Sequence, residues 1–287
     1  NTCRIVPAVK KGYETRQTIK YRTIQHYKAS DSNMGNFWRY ISLGLVFVLN
    51  ASISDAGHRM TVVNRCPQIV WVGTFGDNEI PAGGGFRLNP GQSNTFDVRY
   101  KWLSGRIWGR TGCDSSGRNC DTGDCGATNC RGRTTFDAVT LAEFGLDTNF
   151  MDLDFWDISQ VDGFNLPMSI RPISGTVKEG NKCRPKQAIQ CKFNMAACPQ
   201  KFRQFSNKNG KLVACKSACT ESRQDRFCCP EHKGFNRHNC PQPTDESRIF
   251  KNQCPDAYSH AYDDETSLFA CQSATPGSSS YEVVFCP

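Results

Sequence analysis

Residues 140–168 read TLAEFGLDTNFMDLDFWDISQVDGFNLPM. Six carboxylates fall in this stretch (Glu143, Asp147, Asp152, Asp154, Asp157 and Asp162), and Asp137 stands just upstream. They are interleaved with Phe144, Phe150, Phe155, Trp156 and Phe164. A solvated loop has no need of so many rings. A core strand does not tolerate so many acids, because an unpaired buried charge costs several kcal/mol or is neutralised. Carboxylates held at a surface by rigid aromatic packing suit carbohydrate, where acids move protons and rings stack on sugar faces. The plain alternative is an acidic loop whose rings merely anchor it to the core.

The residues on either side of this stretch fix its setting. Downstream of Met34 the chain runs MGNFWRYISLGLVFVLNASISDAG, with Arg39 as a charged flank, an apolar run from Tyr40 to Leu49, and small residues after it. That is the tripartite form of a secretory signal peptide, spanning residues 34–57, with cleavage expected after Ala56 or close by. The run is shorter than the roughly 20 residues that span a bilayer. Residues 1–33 are assigned no fold and are expected to be absent from the mature protein. Of the formal net charge of +8, most sits in residues 1–57; the remainder carries 27 basic against 24 acidic side chains. No basic stripe concentrates there, so nucleic acid is not an expected partner.

Cysteine usage points to the same compartment. One of the 17 cysteines, Cys3, precedes the signal segment, leaving an even set of 16 from Cys66 to Cys286. Behind a signal peptide this reads as eight disulfides in an oxidising, extracellular setting. The cluster Cys228, Cys229, His232, His238 and Cys240 lacks paired C-x-x-C knuckles and is not read as a zinc site. No metal or cofactor is expected.

The remaining 230 or so residues suffice for one core with an attached lobe. HRMTVV (58–63), QIVWVGTF (68–75), RIWGR (106–110), residues 134–146, 155–161 and 168–173, and SYEVVFC at the end read as strands, with Gly83–Gly85 and Asn89-Pro90-Gly91 as turns. Short strands at close spacing argue for an all-β sandwich or barrel. CDSSGRNCDTGDCGATNC (113–130) is polar and closes on itself as small disulfide loops. Residues 183–271 hold 10 of the 16 cysteines and turn helical where a period is visible, notably at DESRIFKNQ (245–253). The reading is therefore a strand core over 58–182, a loop-and-short-helix lobe over 183–271 held by disulfides, and a last core strand in 272–287. A strand at each end, each with a cysteine at its edge, suggests that Cys66 and Cys286 fasten the ends together.

Read in order, VVNRCP, RIWGRTGC, CDTGDCG, TLAEFGL, DFWDISQVDGFNLPM, CPDAYSHAYDD and YEVVFCP make the chain resemble the thaumatin-like proteins, the pathogenesis-related group that includes thaumatin and osmotin. The resemblance covers residues 58–287. It implies a flattened β-sandwich with a disulfide-rich lobe and a small disulfide loop. It also implies the pairs Cys66–Cys286, Cys113–Cys120, Cys125–Cys130, Cys183–Cys271, Cys191–Cys254, Cys198–Cys215, Cys219–Cys228 and Cys229–Cys240. Many members carry a cleft marked by one Arg and four acids. The matching positions here are Arg106, Glu143, Asp157, Asp162 and Asp264, with Asp263 and Asp256 competing for the last.

By that likeness the chain is a secreted, monomeric defence protein that recognises fungal β-1,3-glucan. Whether it cuts is left open. Glu143 as acid, with Asp157 or Asp162 as base or nucleophile, would satisfy a weak endo-β-1,3-glucanase. The same cleft could instead hold glucan without turnover. A fungal membrane or a protein receptor is the third possibility, as for a permeabilising or enzyme-inhibiting antifungal protein.

Overall fold

The computed structural model describes residues 57–99, 101–150, 153–177, 183 and 187–287. The signal segment and residues 1–33 lie outside the described residues. Two sheets carry the core. One has five strands in the order β11 (Ile189–Cys191), β9 (Met168–Ser174), β15 (Ser280–Phe285), β1 (His58–Asn64) and β4 (Ser93–Val98). The other has seven, in the order β10 (Thr176–Val177), β14 (Phe269–Ser273), β7 (Leu153–Ser159), β6 (Leu141–Gly145), β5 (Gly105–Arg110), β2 (Val70–Phe75) and β3 (Gly85–Leu88). Two lobe strands, β12 (Arg203–Phe205) and β13 (Leu212–Lys216), form a small third sheet with β8 (Gly163–Phe164), which follows β7.

Alternation along β1 buries His58, Met60, Val62 and Asn64 and leaves the intervening residues outside, as a half-buried strand requires. Met60, Val62 and Val283 of the five-stranded sheet share one core with Val72, Ile107, Phe144 and Trp156 of the seven-stranded sheet. Tyr281 bridges the layers, its ring 5.5 Å from Phe144 and 6.1 Å from Trp156. The fold is thus an all-β sandwich. First and last strands lie side by side: β1 runs parallel to β15, Arg59 beside Ser280 through Asn64 beside Phe285. Cys66–Cys286 closes that seam.

Seven further disulfides join Cys113–Cys120, Cys125–Cys130, Cys183–Cys271, Cys191–Cys254, Cys198–Cys215, Cys219–Cys228 and Cys229–Cys240. Among the described residues the lobe adds four short α-helices: α1 (Ala218–Ser222), α2 (Asp225–Cys228), α3 (Asp245–Gln253) and α4 (Asp264–Ser267). Helix α3 spans the residues its apolar spacing indicates, and Thr244 and Ser247 cap it reciprocally.

Three local differences from the sequence reading have plain causes. The strand expected over 134–146 is paired only over Leu141–Gly145. Before it, Thr140 is satisfied sideways: its N–H donates to Asn165 Oδ1 and its hydroxyl to the Leu166 carbonyl, so the ladder starts one residue later. Within residues 183–271, β11 and β14 near the two ends belong to the core sheets, because each continues the edge of a ladder. The loops at 113–130 also pack more than their polarity suggests. Arg110, fully buried, donates to the carbonyls of Gly117 (3.0 Å), Ala127 (2.8 Å) and Thr128 (2.7 Å). Trp108, Val139 and Leu141 pack with the Cys125–Cys130 disulfide beneath those loops.

Strand parity also divides the acids of residues 140–168. Along β7, Asp154, Trp156 and Ile158 face the core, whereas Asp157 faces away. Asp154 accepts from Tyr281 (2.8 Å), Ser273 (3.1 Å) and the Asp147 amide (2.8 Å). His58 Nε2 lies 2.9 Å from Asp147 Oδ2, and all three residues are fully buried. One ligand atom from each of His58, Asp147 and Asp154 lies within 4.8 Å of the others. This buried knot ties the start of β1 to the β6–β7 turn and to β14 and β15.

Candidate functional site

The outer face of the seven-stranded sheet carries the charges. In the antiparallel register Phe75 of β2 stands opposite Arg106 of β5, Arg106 opposite Glu143 of β6, and Glu143 opposite Asp157 of β7. Side chains on one rung point to one face, and neighbouring strands lie about 4.8 Å apart. Three motifs distant in sequence are thereby compressed into one row. The adjacent rungs, Ile107–Ala142–Ile158 and Gly105–Phe144–Trp156, turn to the core and hold the row rigid.

Arg106 Nε donates to Glu143 Oε1 at 3.1 Å, and both side chains are little exposed. Asp157 is 1% exposed, and neither of its oxygens has a hydrogen-bond partner among the described residues. Burial, then the negative charges of Glu143 and Asp264, push its pKa well above the usual carboxylate range against the opposing pull of Arg106. A donor-free buried carboxylate is costly when ionised, which is the physical cause of that upward shift. Asp162, half-buried in the turn between β7 and β8, is pushed up to about 6. Burial is the main cause; Glu143 adds to it, while Arg106 and Arg223 oppose it.

Asp264 arrives from the lobe as the first residue of α4. Its carboxylate accepts from the Tyr258 hydroxyl and from Arg237 Nη2, each at 2.7 Å. Tyr258 explains how a residue more than a hundred positions from Asp157 comes to face it. The Tyr258 N–H donates to the Ile158 carbonyl and its own carbonyl accepts from Gln160, both at 2.8 Å, which clamps the lobe to the end of β7. The phenol is itself buried and raised well above its usual pKa by that burial and by Asp157 and Asp264. Of the two competing acids, Asp263 is turned into the lobe, pairing with Lys251 at 2.9 Å and accepting from Ser259 at 3.1 Å. Asp256 lies in the turn that precedes Tyr258. Arg106, Glu143, Asp157, Asp162 and Asp264 are therefore brought together electrostatically.

The residues 64–287 match the model of the thaumatin family. The chain belongs to the thaumatin family. Among its relatives, "Pathogenesis-related protein 5" of Arabidopsis thaliana is 44% identical over 260 residues, covering 88% of this chain and all of that protein. A Prunus avium protein named "Glucan endo-1,3-beta-glucosidase" is 39% identical, with 85% and 98% covered. A Zea mays protein named "Alpha-amylase/trypsin inhibitor" is 42% identical, with 79% and 98% covered. Pathogenesis-related proteins of this family are generally secreted, and the eight disulfides of this member fit an extracellular protein.

Sequence reasoning missed the supporting residues of the site. Tyr258 was visible as the Tyr of CPDAYSH but gave no sign of its two-ended clamp. Arg223, which acts electrostatically on Asp162, and Arg237, which pairs with Asp264, carry no local signal at all; only the disulfide-held path of the lobe brings them near.

Proposed function

We propose that this chain is a secreted defence protein that holds microbial β-1,3-glucan at Arg106, Glu143, Asp157, Asp162 and Asp264, with retention rather than cutting as its main activity. The observation carrying this reading is the state of the carboxyls. Asp157 lies sealed beneath the row, both oxygens buried and its pKa raised by that burial, so it forms the floor of the site and cannot reach a glycosidic oxygen or an anomeric carbon. Glu143 is engaged by Arg106 and Asp264 by Tyr258 and Arg237. Such a row offers fixed donors and acceptors to sugar hydroxyls without a free acid–base pair across a scissile bond.

Weak hydrolysis is the second reading, and Asp162 is the observation favouring it. A partly accessible carboxyl pushed up to about 6 suits a general acid, and Glu143 is a second carboxyl near enough to act on it electrostatically. The Prunus avium relative's name points the same way.

Incubation with insoluble β-1,3-glucan, with retained protein and newly formed reducing ends measured in the same tube, separates the two. Retention without new ends supports the main reading. New ends that fall about 10²–10⁴-fold in both Glu143→Gln and Asp162→Asn support the second. Retention unchanged after combined replacement of Arg106 and Asp157 would remove this surface as the glucan site.

A further inference from the structure

Beside the charged row lies a groove of about 610 Å³ between the lobe and the small disulfide loops. The hairpin of β12 and β13 forms one wall and residues 119–121 with Asp137 the other. The walls are fastened: Gln204 Nε2 donates to the Asp121 carbonyl at 3.1 Å, and the Ser206 hydroxyl to Asp121 Oδ1 at 2.8 Å. Lys208 reaches across to the carbonyls of Gly112 and Asn119. A groove held open in this way needs little reorganisation to accept a ligand.

The groove adjoins the Asp162 end of the charged row through the backbone. Lys216, which lines it, pairs in register with Gly163, the residue after Asp162, and Ser217 N–H donates to the Asp162 carbonyl at 3.4 Å. Arg223 acts electrostatically on both Asp162 and Asp137, so one cation stands between cleft and groove. Two aromatic rings also stand in solvent, one in the groove wall and one next in sequence to a lining residue. Phe205 in the hairpin wall is 52% exposed, and Phe136, the residue before Asp137, is 61% exposed. They are the two aromatics among the exposed large apolar residues described, and neither is used by the core.

We propose that the groove carries the glucan chain onward from the acidic cleft, with Phe136 and Phe205 as stacking surfaces for successive pyranose rings. The proposal rests on the glucan reading above and adds the direction of the chain and the residues that read its length. A pyranose presents an apolar face of C–H groups and a rim of hydroxyls. The ring face of Phe205 in the groove wall and that of Phe136 beside Asp137 suit the first, and the amides of the lining residues Asn119, Gln204 and Asn207 suit the second.

The test is the affinity of the parent, the double variant Phe136→Ala/Phe205→Ala and each single variant for soluble β-1,3-glucan oligomers of increasing length. Both side chains are exposed, so the variants are expected to fold with unchanged thermal midpoints. Parent affinity should rise with length; the double variant should bind short oligomers equally and long ones at least about tenfold more weakly. Equal affinities of parent and double variant for long oligomers would overturn the proposal while leaving the cleft reading intact. Failure of the parent to bind any oligomer would overturn both. Phosphatidylcholine vesicles form the parallel arm: vesicle binding lost in the double variant, with glucan affinity retained, would overturn the proposal and assign the rings to a lipid surface.

Discussion

Replacing Asp162 by Asn should make this protein more stable at neutral pH and leave it nearly unchanged in acid. In the folded chain the carboxyl titrates at about 6, against about 3.9 for an unperturbed Asp. Between those values the folded state holds a proton that the unfolded state has released. The folded state thus binds more protons, and stability falls as pH rises from about 4 to about 6. Two pH units at about 1.4 kcal/mol each give an upper value of about 3 kcal/mol. Partial solvent contact at Asp162 reduces this, to about 1–2 kcal/mol. Asn keeps the shape and cannot ionise, so it removes that loss. Asp157 is shifted in the same direction and remains in the variant, so the informative quantity is the difference between the two stability curves. Denaturant unfolding of parent and Asp162→Asn, disulfides intact, at intervals from pH 4 to pH 8 provides it. The difference should be near zero at pH 4, grow through pH 5 and 6, and level off above 7. A difference independent of pH, or one that shrinks as pH rises, would refute the assignment of a retained proton to Asp162. It would also take away the acid that the hydrolytic reading requires.

Four further outcomes are expected. Intact mass of secreted protein should show eight disulfides and no free thiol, with the N-terminus near Gly57 or His58; removing Cys66 and Cys286 together opens a separation of 220 residues and should cost about 5 kcal/mol of unfolding free energy. Arg110→Met should orphan the carbonyls of Gly117, Ala127 and Thr128, lowering stability by about 3 kcal/mol or more and abolishing amide-exchange protection first within residues 113–130. Gly73→Ala should cost about 1–3 kcal/mol in denaturant unfolding, because a Cβ there would lie 2.3 Å from the ring of Trp108 on the neighbouring strand.

What the chain by itself determined was local or was carried by long motifs in order. Period-two alternation in HRMTVV and SYEVVF, the helical apolar spacing of DESRIFKNQ, and an even, dense set of cysteines are short-range signals. They are enough for an all-β, disulfide-rich class, because a strand or a capped helix is specified by the residues that compose it. Membership of a family was legible for another reason: seven motifs in register do not recur together by accident. Two kinds of fact needed the tertiary structure. The first is register, which is set by pairing between segments far apart. Only the ladder places Arg106 beside Glu143 and Glu143 beside Asp157. Only strand parity, applied to that ladder, sends Asp154 inward to Tyr281 and Asp157 outward to the site. On the page the two acids look alike, three residues apart in the same strand. The second is protonation. The pKa of Asp157 and Asp162 depends on how much water is excluded around them and on charges delivered by Tyr258-anchored Asp264 and by Arg223, none of which is a neighbour in sequence. Residue types named the candidates; packing decided which of them are sealed, which are paired, and which still has a proton to give.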